Sequence, residues 1–210
     1  MKHTLLSFTF VGILTIGLYH ADLRQQSSRR PPQPMVKTQT NEQQAAASRE
    51  LERIFNEDQS DSRPYSTPEQ KQATDARARQ RIDRVSEIVR QGLVQSADDY
   101  YHAAMVFQHG TTAEDALTAH VLATVAGFKG HQMGRWLSAA ALDRFLLTVG
   151  RSQVLGTNYG RDNFPRYDKY LSDVVRREYC LPPLEVQVKN EEFIEKRVGQ
   201  FQRWAKECER

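Results

Sequence analysis

Gly110, Gly130 and Gly150 lie twenty residues apart, and each closes a stretch of helical periodicity. Helices of four to five turns joined by such short links must fold back on one another, because the link leaves room only for an antiparallel neighbour. That spacing predicts an all-α fold: a compact bundle of antiparallel helical hairpins. A solenoid would also repeat, but helical repeats run nearer ~34 residues per hairpin, and no recurrent residue signature accompanies the glycines.

The start signals agree. Ser96 precedes an expected helix over 97–109, Thr112 one reaching about Phe128, and a third is expected from about His131 to Val149. Upstream, Thr67-Pro68-Glu69-Gln70 places a capping Thr, a Pro at the first helical position and a Gln at the third. The charged helix that follows carries Ile82, Val85, Ile88 and Val89 as its apolar stripe and ends at Gly92. Before it, Leu51, Ile54 and Phe55 share one face of a helix ending near residues 56–58. After Gly150 comes a long loop rich in Gly, Asn, Asp and aromatic residues, then a short helix over about 168–179 and Leu181-Pro182-Pro183. A last amphipathic helix over about 190–208 carries Phe193, Val198, Phe201 and Trp204.

The chain opens differently. Met1-Lys2-His3 and the uncharged run from Leu5 to Tyr19 have the shape of a signal peptide or membrane anchor. At ~1.5 Å per residue the run falls short of the ~30 Å hydrocarbon core, which favours a cleaved signal. Tyr19-His20-Ala21 is a poor cleavage site, however, and Arg24, Arg29 and Arg30 follow it. Residues 22–46 are rich in Gln, Ser, Pro and Arg, too polar to offset the entropy of ordering. The expected organisation is a targeting segment over 1–21, a disordered linker over 22–46 and a helical domain over 47–210. Export or membrane tethering is the expected localisation, and contact with a membrane is expected only through an uncleaved N-terminal segment.

Charge and motifs exclude several function classes. Lys plus Arg number 29 against 26 Asp plus Glu, a net +3 too small for a nucleic-acid binder. Gly-x-Ser-x-Gly, a phosphate-binding loop and a dinucleotide fingerprint are all missing from the sequence. The two cysteines, Cys180 and Cys208, exclude a disulfide-dense scaffold; in an exported protein they would bridge the last helix to the segment before Leu181.

Polar residues on apolar stripes supply the candidate site. Ala116, Ala119, His120 and Ala123 share one face of the middle helix, and Leu117, Val121, Val125 and Phe128 another, so that helix is expected to be buried. In the next helix Asp143 lies on the side of Trp136, Ala140 and Leu147. A buried carboxylate needs partners. Arg144, His120, His109 and the loop around Gln153, Gly156 and Thr157 are the candidates. His102, His109, His120 and Asp143 could together hold a zinc ion, but no HExxH or comparable spacing supports it, and neither metal nor cofactor is expected. His131, at a helix start, is expected to be exposed.

Asn56-Glu57-Asp58-Gln59, Gln108-His109-Gly110, Leu142-Asp143-Arg144, Gln153-x-x-Gly156-Thr157 and Arg176-Arg177 before Leu181-Pro182-Pro183 occur in that order. The set resembles the bacterial domain-of-unknown-function 6624 family over roughly residues 51–184. Two details depart from it: Asn158 stands where the family has Gln, and Arg63 lies further from the Asp-Gln pair than the family's Arg. The resemblance implies a helical fold and a shared polar site, with Asp58, Gln59, Gln108, Gln153, Gly156, Thr157 and Asn158 as binding residues. It implies no reaction. Together these readings lead to the expectation of an exported or tethered helical domain that binds a protein or small ligand. The competing expectation is a hydrolase-like enzyme using His109, His120, Asp143 and Arg144.

Overall fold

The structure, a computed structural model, describes residues 40–61, 66–158 and 171–184. The expected targeting segment, the linker up to residue 39 and the last amphipathic helix lie outside the described residues. Within them the fold is all-α. Its elements are α1 (Asn41–Asp61), α2 (Pro68–Arg90), α3 (Ala97–Gln108), α4 (Ala113–Phe128), α5 (Gly134–Thr148) and α6 (Asp173–Glu178). The most extensive packing joins α4 to α5 and α3 to α4, with α1 laid on α3 and α2 against both α1 and α3. No described helix is long and apolar enough to cross a membrane.

The expected linker boundary at residue 46 needs correction, since α1 already begins at Asn41. Thr40 and Gln43 form a reciprocal cap: the Gln43 N–H donates to Thr40 Oγ1 at 3.2 Å, and the Thr40 N–H to Gln43 Oε1 at 3.0 Å. That box satisfies two terminal donors, and Ala45-Ala46-Ala47 follows with the best helix formers. Ser96 and Thr112 make capping boxes with Asp99 and Asp115, and Thr67 caps α2 through the Gln70 N–H.

The three glycine stops work by two different mechanisms. Gly130 and Gly150 adopt φ of 93° and 76°, the left-handed conformation that lets the following N–H reach back into the helix. His131 N–H donates to the Ala126 carbonyl at 2.9 Å, and Arg151 N–H to that of Leu146 at 2.8 Å. Gly110 has no such backbone. A Cβ there would lie 2.5 Å from the Asp115 side chain that caps α4, so the tight α3–α4 turn requires its absence.

One cluster of Leu51, Ile54, Ile82, Val85, Ile88, Val106, Phe107, Leu122 and Leu137 forms the main core. The alanine stripe of α4 packs as expected, with Ala116, Ala119, Ala123 and Ala126 buried. The second stripe does not: Leu117, Val121 and Phe128 are exposed. Small side chains draw α3 and α5 so close to one side of α4 that, among the described residues, nothing covers the other.

His131 also departs from expectation. It is half-buried and stacks on Tyr101 with centroids 3.9 Å apart, while His102 stacks on Phe55 at 4.5 Å. Burial holds both imidazoles below the ordinary histidine range; Asp98 opposes this for each, Glu52 and Asp99 oppose it for His102, and His102 reinforces it for His131. The folded state therefore keeps both rings neutral, and the unfolded chain takes up their protons first as pH falls below about 6.5. This contribution to stability is complete above that pH and is lost as pH drops through the window below it. Melting temperature should fall between pH 7.5 and pH 5.5, and His102→Phe with His131→Phe should flatten the fall. An equally steep profile in the double variant would refute the assignment.

Candidate functional site

Asp143 points from the middle of α5 into the loop that follows it and is fully buried, at 0 % exposure. Its Oδ1 accepts the N–H groups of Val154 and Leu155 at 2.7 and 2.9 Å. Its Oδ2 accepts the Thr157 N–H at 2.9 Å and the Thr157 hydroxyl at 2.8 Å. Four donors saturate the carboxylate. His120 and His109 contribute none of these bonds, so neither is the partner the sequence offered. Arg144, next in sequence, turns elsewhere.

The rest of the loop is cross-braced. Gln153 Nε2 donates to the Asn158 carbonyl at 2.8 Å and its Oε1 accepts the Asn158 N–H at 3.0 Å, while Asn158 Nδ2 reaches the Ala140 carbonyl at 3.1 Å. Gly156 adopts φ of 65° at the turn. From the other side, fully buried Arg176 donates to the Leu155 carbonyl and, through Nε and Nη2, to the Pro182 carbonyl at 3.1 and 2.9 Å. Gln153, Gly156, Thr157 and Asn158 thus form, with Asp143 and Arg176, a brace that ties the loop and α6 to α5.

His120 is likewise satisfied within the fold. Its Nδ1 lies 2.9 Å from the Ser138 carbonyl and 3.1 Å from the Ser138 hydroxyl, which pairs with Thr124 at 2.8 Å. The histidines proposed for a common site go to separate neighbours, and among the described residues no three His, Cys, Asp or Glu side chains gather as metal ligands.

A second set does converge. Asp58, near the end of α1, places Oδ2 2.5 Å from Nδ1 of His109, which caps the C-terminus of α3. The Asp58 side chain is 2 % exposed and that of His109 30 %. Gln59 Nε2 adds a longer contact of 3.3 Å to the same carboxylate. Arg81 of α2 sets Nε 3.5 Å from Asp58 Oδ1 and donates from Nη1 to Asp61 at 2.7 Å. Arg77 and Arg81 hold the Asp61 carboxyl down to about 2. From α5, Arg144 Nη1 donates to the Gln108 carbonyl at 2.5 Å, one residue before His109. Asp58, Gln59, Gln108, His109 and Arg144 are therefore brought to one junction of α1, α3 and α5, apart from the loop brace.

Arg81 escaped the sequence reading although a signal was present: it lies four residues before Val85, on the buried stripe of α2. Beside it, a groove of about 670 Å³ between α1 and α2 is lined by arginines (Arg49, Arg53, Arg77 and Arg81) and by Glu52, Glu57 and Asp61. Charges of both signs alternate there, with Arg53–Glu57 and Arg77–Asp61 paired at 2.5 and 2.8 Å.

Cys180 is disulfide-bonded, and the only other cysteine of the chain, Cys208, lies outside the described residues. The sequence matches no protein-family model, and neither a curated protein nor a solved structure matches the chain.

Proposed function

We propose that the chain is an exported or membrane-tethered helical domain that recognises a ligand at the junction of α1, α3 and α5, without catalysis of its own. The saturation of Asp143 carries this reading. The carboxylate best placed in sequence to act as an acid is spent on four donors of its own loop, and Gln153 and His120 are similarly engaged. What remains at the surface is the His109 edge, a positioned polar group on rigid helices. The N-terminal apolar run and the disulfide at Cys180 support an oxidising, extracytoplasmic location. The resemblance to the domain-of-unknown-function 6624 family is part of this proposal, since its Asp-Gln, Gln-His-Gly and Asp-Arg elements are the ones that meet here or brace the loop behind.

One observation favours a second reading, a hydrolase-like enzyme. A buried carboxylate 2.5 Å from Nδ1 of a partly exposed histidine is the arrangement that orients an imidazole for proton transfer. A thermal-shift screen of the full chain with small neutral and anionic compounds and short peptides separates the two. Binding predicts hits that raise the melting temperature, lose their effect in His109→Ala, and are recovered chemically unchanged after prolonged incubation. Conversion of a hit by the parent but not by His109→Ala would replace the binding reading with the enzymatic one.

A further inference from the structure

Arg144 is the one cation at this junction whose burial has no visible return. Burial pulls its guanidinium below the ordinary arginine range, and no neighbouring charge offsets the shift. Among the described residues its bond is to a neutral acceptor, the Gln108 carbonyl; Asp143, beside it in sequence, faces the opposite way into the loop. Taking a guanidinium out of water without a counter-charge is costly, and native proteins ordinarily pair such a group. Arg81 and Arg176 follow that rule, the first against Asp58 and Asp61, the second against Asp173 and two carbonyls.

A second uncompensated group lies beside it. The side chain of Gln108 is buried, with its Oε1 lacking any hydrogen-bond donor. Buried acceptors without a donor are few in native proteins and commonly mark a place completed by a ligand or water. So a half-satisfied guanidinium and an orphaned amide oxygen meet at the residue preceding His109.

From this geometry we infer that Arg144 is an oxyanion anchor: the ligand of the junction carries a carboxylate or phosphate group, bound by the Arg144 guanidinium next to His109. The planar fork of arginine suits both groups through paired N–H donors. This inference rests on the binding reading above and adds the chemical class of the ligand.

The test uses the full chain at constant ionic strength, titrated separately with inorganic phosphate, acetate and chloride while its melting temperature is followed. Arg144→Met and Arg144→Lys are measured in parallel. A saturable upward shift with phosphate or acetate, and none with chloride, is expected, and whichever anion acts identifies the group. Arg144→Met should abolish the shift and, without anion, melt at or above the parent, since it removes a buried unpaired charge. Arg144→Lys should keep the shift with about tenfold weaker apparent affinity, having lost the fork. A structural arginine gives the opposite pattern: Arg144→Met melting well below the parent, with no anion effect in the parent. That result overturns the inference, as does an anion shift that survives in Arg144→Met. A parent that responds to neutral ligands and to neither anion refutes the anchor and leaves the binding reading intact. Turnover of an anionic hit that depends on His109 would keep the anchor and overturn binding alone.

Discussion

Asp143→Ala should lower the melting temperature more than any other single substitution at the loop brace. Truncation leaves the buried N–H groups of Val154, Leu155 and Thr157 without their acceptor. Each orphaned buried donor costs about 1–3 kcal/mol, and removing one side of a buried charged network about 3–5 kcal/mol. Against the ~5–15 kcal/mol that holds a domain together, the loss should appear as a drop of roughly 6–20 °C, at about 2–4 °C per kcal/mol for a chain of this size. Asp143→Asn should lie between, because one amide oxygen still serves Val154 and Leu155 while its NH₂ faces the Thr157 N–H. Hydrogen exchange should localise the damage: the Val154, Leu155 and Thr157 amides lose protection before the α3–α4 core does. A catalytic Asp143 predicts neither effect, because functional groups tend to sacrifice stability. Should both variants melt at or above the parent, the brace does not exist as described.

Gly134→Ala carries the second large effect, and here two principles predict opposite signs. Alanine is preferred over glycine in a helix by roughly 0.5–1 kcal/mol, so propensity alone predicts a gain at the start of α5. Tertiary structure forbids it. A Cβ at Gly134 would stand 2.4 Å from the Gly127 amide nitrogen and 3.0 Å from the Ala123 carbonyl oxygen. Those are backbone atoms of α4, so relief requires the two helices to separate along the most extensive contact in the fold. Overpacking of this kind costs about 1–3 kcal/mol, and more when backbone must yield. Gly150→Ala is the control: a Cβ there meets nothing within 4 Å, and only its φ of 76° is strained. A single left-handed residue costs about 1–2 kcal/mol. Gly134→Ala should therefore melt below Gly150→Ala, and below the parent; a Gly134→Ala protein at or above the parent would show that α4 and α5 do not touch there.

The legible part of this chain was local. Ser96, Thr112 and Thr67 announced their helices because a capping side chain acts on the backbone three residues away, a relationship written in the sequence itself. Thr40 and Gln43 obey the same rule, and the overlooked helix start at Asn41 lay within a polar stretch that composition alone marks as linker. His131 misled because a position at a helix start says nothing of what lies opposite; Tyr101 comes from another helix. Leu117, Val121 and Phe128 misled for a related reason. Apolar periodicity around α4 shows which faces are able to pack, not how many neighbours arrive to cover them.

The candidate site shows the same division. That Asp143 would be buried, and would hold the loop after Gly150, followed from its place on the Trp136–Ala140–Leu147 side of α5 and from the donors an ionised carboxylate needs. Helix periodicity and hydrogen-bond demand are both readable from one segment at a time. The pairing of Asp58 with His109 joins positions 51 residues apart, and Arg144 reaches Gln108 across 36. Nothing in either segment specifies the other, because the distance between them depends on how α1, α3 and α5 cross. Sequence alone determined the helices, their stops and the residues that cannot stay unpaired; the crossing of the helices decided which of those residues meet.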